Sequence, residues 1–281
     1  MTIRDVLRDA TGVLVAADVP SAQIDAEWLL AHTLNCRRID LHTNGDTPLQ
    51  PQSHATFAAL LARRVAREPL QYLLGSGPFY GRLFHVTPDV LIPRPETEQL
   101  VDFALRGLPE RPANILEIGT GSGCIAITLA IERPTATVTA TDISVAALRV
   151  AKENATTFSV LDRLRLLEAD GYPPHPTAPY TMIISNPPYG CEAEWDHLQP
   201  EVRDYEPRHA VIGGDDGLAV IRRIITEAPQ HLISGGDVWL EIGMGQADAV
   251  IKLIATCGDY STSQVHDDLQ GIARILHAQR R

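Results

Sequence analysis

An excess of basic residues is missing. Lysine and arginine number 24 against 35 aspartates and glutamates, giving a formal charge of −11 and an isoelectric point near 5.3. A general basic coating that would hold nucleic acid through its phosphates is therefore not expected. Arg63, Arg64 and Arg67 form a local cluster, which reads as the solvated face of a helix. Cysteine is scarce: the four, at 36, 124, 191 and 257, include no CxxC pair, and the histidines show no HxxxH spacing. That excludes the common metal knuckles and points to reduced thiols in a cytoplasmic protein, with no bound metal. No apolar run approaches the ~20 residues that cross a bilayer. Arg4, Asp5, Arg8 and Asp9 interrupt the start of the chain, so neither a membrane span nor a signal peptide is expected. Internal repeats and low-complexity tracts are also lacking.

What is present is an ordinary globular composition. Of 281 residues, 44% are hydrophobic and 21% charged, enough for one large domain or two smaller ones. Residues 1–75 read as helical. Ile3, Val6, Leu7, Ala10 and Leu14 recur at helical spacing, and Ser21 follows Pro20 as a cap for a second segment through Ile24, Trp28, Leu29 and Leu34. A third helix is expected from Ser53 through Phe57, Leu60, Leu61 and Val65, ending before Pro69. This predicts a small helical domain with no visible chemistry, suited to gripping a partner or covering a site. Residues 76–110 predict a hairpin about Gly81, then Ile92-Pro93-Arg94-Pro95-Glu96-Thr97-Glu98, with Thr97 placed to cap the next helix. On its chemistry alone this stretch reads as a proline-stiffened linker.

Residues 111–281 alternate. Strands are expected over 114–118, 136–140, 164–167, 180–185 and 238–242, with helices over 121–131, 144–155, 218–231 and 247–256. Two β-like runs, 261–265 and 272–277, close the chain without a helix between them. The pattern predicts an α/β fold with a doubly wound, mostly parallel sheet whose last two strands are antiparallel. Ligands in such sheets bind at the carboxyl ends of the strands.

Three strand ends carry chemistry. Glu117 precedes Gly119-Thr120-Gly121-Ser122-Gly123, whose glycines allow backbone to approach a ligand closely. Asp142 ends the next strand, where a carboxylate can accept from both hydroxyls of a ribose. A nicotinamide cofactor would require a glycine at position 124, which is Cys124. Glu117 would repel a pyrophosphate but could accept from an ammonium, which favours S-adenosylmethionine. Asp170, after the third strand, could accept from an adenine amino group or belong to an ordinary turn.

The fourth strand ends at Ser185-Asn186-Pro187-Pro188-Tyr189. Two prolines fix φ and remove two backbone donors, so the chain stops at a stiff corner presenting an amide, free carbonyls and a ring. Cys191 lies nearby, but a cysteine nucleophile of the cytosine-C5 type directly follows a proline, and here Tyr189 does. No nucleophilic role is expected for Cys191. Glu206 and Arg208 are expected either to pair with one another or to shape a substrate channel.

At this point the chain resembles a known family. Asn186 to Tyr189 matches the NPPY signature of methyltransferases that modify planar, conjugated nitrogens. Glu117 to Gly123 looks like their S-adenosylmethionine loop. IPRPETE (92–98), Glu206-Pro207-Arg208 and Gly213-Gly214-Asp215-Asp216-Gly217-Leu218 resemble the HemK/PrmC family of peptide chain release factor glutamine N5-methyltransferases, and the likeness runs essentially the whole length. The resemblance implies a Rossmann-like class I methyltransferase domain behind an N-terminal helical substrate-recognition domain. It implies as substrate the glutamine of the Gly-Gly-Gln motif in bacterial class 1 release factors. It turns IPRPETE from a linker into a support of the cofactor site. It extends the cofactor set to Gly119, Thr120, Gly121, Ser122, Gly123, Asp142, Asp170, Gly171 and Asn186. Family members can carry a large aromatic at the position of Gly171, where this chain offers only backbone. Asn186, Pro187 and Tyr189 are the expected catalytic residues and, with Pro188, the expected substrate contacts. Rival readings within the chemistry are a ribosomal-protein glutamine or an adenine N6 as acceptor. Outside it, the rivals are a nicotinamide-dependent oxidoreductase and a silent cofactor-binding module.

Overall fold

A computed structural model of the protein describes residues 1–108, 112–175 and 178–281. The first helices are α1 (Ile3–Ala16), α2 (Ala22–Leu34), α3 (Arg38–Thr43), α4 (Pro51–Val65) and α5 (Leu70–Leu74). A two-stranded sheet, β1 (Ser76–Phe79) and β2 (Arg82–His85), precedes α6 (Pro95–Gly107). Then follow β3 (Asn114–Ile118), α7 (Cys124–Glu132), β4 (Thr137–Asp142), α8 (Val145–Thr157), β5 (Leu164–Glu168) and β6 (Tyr180–Ser185). The chain continues through α9 (Pro200–Tyr205), α10 (Ala219–His231), β7 (Leu232–Glu241), α11 (Ala247–Cys257), β8 (Tyr260–Asp267) and β9 (Ala273–Arg280). Two units separate: Met1–Ser76 with Gln199–Tyr205, and Gly77–Leu198 with Glu206–Arg281. The expected boundary between 110 and 111 lies outside the described residues.

The first unit has more helices than the periodicity predicts. α3 and α5 span six and five residues, too few to show a repeat. α1 starts where Thr2 and Asp5 exchange hydrogen bonds, the Thr2 Oγ1 accepting from Asp5 N at 3.2 Å and the Asp5 carboxylate accepting from Thr2 N at 3.1 Å. α4 begins at Pro51 rather than Ser53, because proline suits a first helical position whose N–H has no partner in the helix. Leu14, Leu29, Leu30, Leu41 and Phe57 fill the core. Arg64 departs from the solvated face expected for it. It is buried, donating from Nε to Asp25 Oδ2 at 2.8 Å and from Nη2 to Glu201 Oε1 at 2.9 Å, and Arg67 donates to the same Glu201 at 2.7 Å. Two carboxylates compensate the buried guanidinium, which would otherwise be too costly to desolvate.

In the second unit the sheet order is β5-β4-β3-β6-β7-β9-β8. The strands from β5 to β7 are parallel, β9 runs antiparallel to β7, and β8 runs antiparallel to β9. The closing hairpin follows from the missing helix between its strands. Side chains alternate between two cores. Ile115, Met182, Ile184 and Trp239 join Leu100 of α6 and Ile127 of α7 on one face. Leu116, Ile183, Val238 and Leu240 join Ile221 of α10 and Ile254 of α11 on the other. With both faces covered, the strands read as near-continuous apolar runs. Helix α7 begins at Cys124 rather than Gly121, since Gly121 (φ +54°) and Gly123 (φ +81°) hold left-handed backbone that a right-handed helix cannot include.

The order also places the site. From β3 the chain winds to β4 and β5 on one side, then crosses to β6 and β7 on the other. A crevice therefore opens over the carboxyl ends of β3 and β6, where the winding reverses.

Candidate functional site

A cavity lies over that crevice. Glu117, the loop from Ile118 to Ser122, Asp142, Asp170, Gly171 and Asn186 all line it. Residues Ile92 to Arg94 and Thr97 complete its wall, so the proline-rich stretch faces the same space as the glycine loop.

The loop after β3 is held by backbone. Gly119 N and Thr120 N both donate to Thr141 O at 2.9 Å. Gly121 N donates to Asp142 Oδ2 at 2.8 Å, and Ser144 N donates to Asp142 Oδ1 at 2.8 Å. Thr120 and Ser122, within the loop, are themselves buried. Gly123 closes it by caging no side chain: a β-carbon there would stand 2.9 Å from Ile127 and 3.2 Å from Ala151. Asp142 thus fixes the loop and still offers lone pairs to the cavity.

Glu117 is the loop's buried acid. Its Oε2 accepts from Thr120 Oγ1 at 2.6 Å and from Ala126 N at 3.2 Å, while Oε1 is buried with no hydrogen-bond partner among the described residues. Burial pushes its carboxyl up to about 8. An unpartnered acid facing a cavity suits an ammonium group and opposes a phosphate, so these residues fit S-adenosylmethionine.

The corner after β6 is built with equal rigidity. Ser185 Oγ donates to Ile118 O at 2.6 Å, pinning the ends of β6 and β3 together. Asn186 and Pro188 line the cavity; Pro187 is buried, and neither it nor Tyr189 is part of the lining. Asn186 Nδ2 donates to Thr97 Oγ1 at 3.0 Å. The Tyr189 hydroxyl donates to Glu241 Oε1 at 3.1 Å, and its carbonyl accepts from Gln246 Nε2 at 2.9 Å.

Comparison with known proteins decides the family. The chain is 43% identical over 277 residues to a release factor glutamine methyltransferase of Geobacter sulfurreducens, covering 98% of this chain and 95% of that one. It is 45% identical over 280 residues to the protein of the same name from Cereibacter sphaeroides, covering 99% and 98%. The chain belongs to the release factor glutamine methyltransferase family. The PrmC N-terminal domain matches residues 5–75 and the methyltransferase small domain residues 99–198. Among solved structures, a methyltransferase from Pyrococcus furiosus aligns with a TM-score of 0.54 at 18% identity, covering 79% of this chain and 96% of that one. The hMettl16 catalytic domain, solved with the MAT2A 3'UTR hairpin 1, aligns at 0.56 and 16% identity, covering 79% and 80%. Such distant likenesses establish the class I methyltransferase fold. As a member of this family the protein is a methyltransferase with S-adenosylmethionine as donor.

In this member of the release factor glutamine methyltransferases, other residues complete the site that sequence patterns did not single out. Arg223 of α10 lines the cavity and donates from Nη2 to Asp170 Oδ1 at 2.6 Å, a bond that holds the Asp170 carboxyl below the ordinary carboxylate range. It occupies the space beside Gly171, where a β-carbon would stand 2.6 Å from Nη2. A guanidinium, instead of a side chain at 171, therefore walls this end of the cavity.

The glycines at 213 and 217 are explained by the corner. A β-carbon on Gly213 would lie 2.3 Å from Pro188 O, and one on Gly217 would lie 2.2 Å from Tyr189 O. Backbone of the Gly213–Gly217 turn is packed directly against backbone of the Asn-Pro-Pro-Tyr corner, and Gly213 N donates to Gly190 O at 2.9 Å.

Glu206 and Arg208 do not pair with one another. Arg94 Nη2 donates to Glu206 Oε1 at 2.7 Å, whereas Arg208 pairs with Glu192 and lies over the Trp195 ring. Arg94 is part of the cavity wall, so Glu206 anchors the wall. Burial raises the Cys191 thiol above its ordinary value, the opposite of what a nucleophile needs. Among the described residues no group of His, Cys, Asp and Glu is arranged to hold a metal, and no helix is long and apolar enough to cross a membrane.

Proposed function

We propose that the protein transfers a methyl group from S-adenosylmethionine to the side-chain amide nitrogen, N5, of the glutamine in the Gly-Gly-Gln motif of class 1 peptide chain release factors, in the cytoplasm and in the service of translation termination. The observation behind this reading is the placement of Asn186. It lines the same cavity as the donor loop, and its amide N–H is turned away to Thr97, leaving Oδ1 to accept.

An amide nitrogen is a poor nucleophile because its lone pair is shared with the carbonyl. In this reading Asn186 Oδ1 and the Pro187 carbonyl each accept from the substrate NH2, which aims the nitrogen and favours positive charge developing on it. Tyr189 packs over the amide plane, its hydroxyl tied back to Glu241. Bound in the cavity, S-adenosylmethionine supplies a methyl on a sulfonium whose leaving group is a neutral thioether. The protein's share is mainly positioning, worth ~7–11 kcal/mol where alignment is good. The proton leaves the methylated nitrogen after transfer, so no general base is required. Gly119 to Gly123 and Glu117 take the amino-acid end of the donor, Asp142 its ribose, and Asp170, Gly171 and Arg223 its adenine. Residues 1–75 recognise the release factor, 76–110 support the cavity, and 111–281 perform the transfer.

Labelled S-adenosylmethionine offered with purified release factor, and with a variant bearing alanine for the Gly-Gly-Gln glutamine, tests the substrate. Only the unaltered factor should take up label; labelling of both or of neither rejects the assignment.

Glu117 gives a pH signature. At pH 7 its carboxyl, pushed up to about 8, is largely protonated. An ammonium docked against it favours the ionised form, so the proton must leave as the donor binds. Calorimetry at pH 7 in buffers of different ionisation enthalpy should report release of up to about one proton per S-adenosylmethionine. Glu117→Gln should abolish the release. Identical heats in all buffers for the unaltered enzyme would remove the ammonium from Glu117.

A further inference from the structure

Thr97 was expected to cap α6, but it does not. Arg94 holds the cap position with extended backbone, and Pro95 begins the helix. Thr97 is left on the inner side of the first turn, 2% exposed, with its hydroxyl turned into the protein. There it meets two groups. Its Oγ1 donates to Glu241 Oε2 at 2.7 Å and accepts from Asn186 Nδ2 at 3.0 Å. Glu241 ends β7, is 1% exposed, and also receives the Tyr189 hydroxyl.

A hydroxyl has one proton. With the carboxyl ionised, or with its proton on Oε1, Glu241 Oε2 accepts from Thr97. Burial raises its pKa, and the hydrogen bonds it receives from Thr97 and Tyr189 oppose that shift by favouring the ionised form. With its proton committed to Glu241, Thr97 can offer Asn186 nothing but a lone pair. Only the NH2 side of the Asn186 amide can meet a lone pair. The opposite rotation would set two acceptors against one another in a buried site, leaving both without a donor.

We propose that Thr97 and Glu241 are positioning residues that hold the Asn186 amide with Oδ1 facing the substrate nitrogen. The proposal rests on the role given to Asn186 above. The same carboxyl places the Tyr189 hydroxyl, so one buried acid orients both side chains of the corner. It also explains why the proline-rich stretch stands beside the transfer site: Thr97 supplies the polarity of the amide. The pairing links residues from the corner after β6, from α6 and from β7, and it has no counterpart in a nearby sequence pattern.

Thr97→Val keeps the shape and removes both hydrogen bonds; Thr97→Ser restores them. With release factor as substrate, Thr97→Val should lower kcat by about 10- to 100-fold. Its KM and its S-adenosylmethionine affinity, read by calorimetry, should be little changed. Thr97→Ser should recover most of the rate. In the Asn186→Ala background, Thr97→Val should cause no further loss, because a residue acting through Asn186 has nothing left to position.

Three results would overturn the proposal: unchanged kcat in Thr97→Val, a serine variant as impaired as the valine one, or a full additional loss in the double variant. Measuring Asn186→Ala alone separates the two readings. If it retains turnover, the role of Asn186 itself fails. If it loses turnover while Thr97→Val does not, only the positioning network fails.

Discussion

Asn186→Ala is expected to lower kcat by about 10²–10³-fold, the usual cost of deleting a fixed hydrogen-bonding group aimed at developing charge. S-adenosylmethionine affinity should largely survive. The donor loop is built from β3, β4 and their own hydrogen bonds, of which Asn186 makes none. The lost acceptor faces the amide nitrogen, whose partial positive charge grows as the methyl arrives, so the loss should fall on kcat rather than on KM. Single-turnover methylation with labelled donor, alongside calorimetric donor binding, measures both quantities on one preparation. Unchanged turnover would take Asn186 out of the mechanism. A parallel loss of donor binding would make it a cofactor ligand first.

The second large effect concerns the donor. Asp142→Ala should weaken S-adenosylmethionine binding by about 10- to 100-fold, the scale of losing one charge-assisted hydrogen bond of about 1.5–3 kcal/mol. The carboxylate has two tasks. It accepts from Gly121 N and Ser144 N, and in the proposed reading it accepts from the ribose hydroxyls as well. Asp142→Asn retains one oxygen but replaces the other by a donor, which opposes either Gly121 N–H or Ser144 N–H. It should therefore bind more weakly than the unaltered enzyme and more tightly than the alanine variant. At saturating donor, kcat should be nearly restored in both. A dissociation constant unaltered by Asp142→Ala would refute the ribose assignment.

The alternation of strands and helices was legible in the sequence because burial on both faces of β3, β6 and β7 leaves apolar runs of strand length between turn residues. The donor loop was legible for a related reason: glycines, an acid before them and an acid ending the next strand lie close together in the chain. What could not be read are partnerships across long stretches. Thr97 and Glu241 stand 144 residues apart, and Arg223 reaches Asp170 across 53. Thr97 looked like a cap because hydroxyls before apolar helical runs usually are; the neighbouring Pro95 moved the helix start and freed it. Glu241 left a faint signal, an acid one residue before the end of an apolar run, as Glu117 is. The short helices α3 and α5 were missed because fewer than two turns show no periodicity to detect. Arg64 misled because its helix position suggests solvent, whereas its partners come from Asp25 and from a segment more than a hundred residues away.

The glycines at 213 and 217 bear on how far the Asn-Pro-Pro-Tyr corner could be transplanted. Its four residues look self-sufficient, since the prolines stiffen their own backbone. Yet the carbonyls of Pro188 and Tyr189 rest where other residues would have β-carbons. A designer who copied the tetrapeptide to another strand end would meet those atoms and displace the amide. The portable unit is the corner together with its glycine-bearing companion turn, two strips of chain that have to travel as a pair.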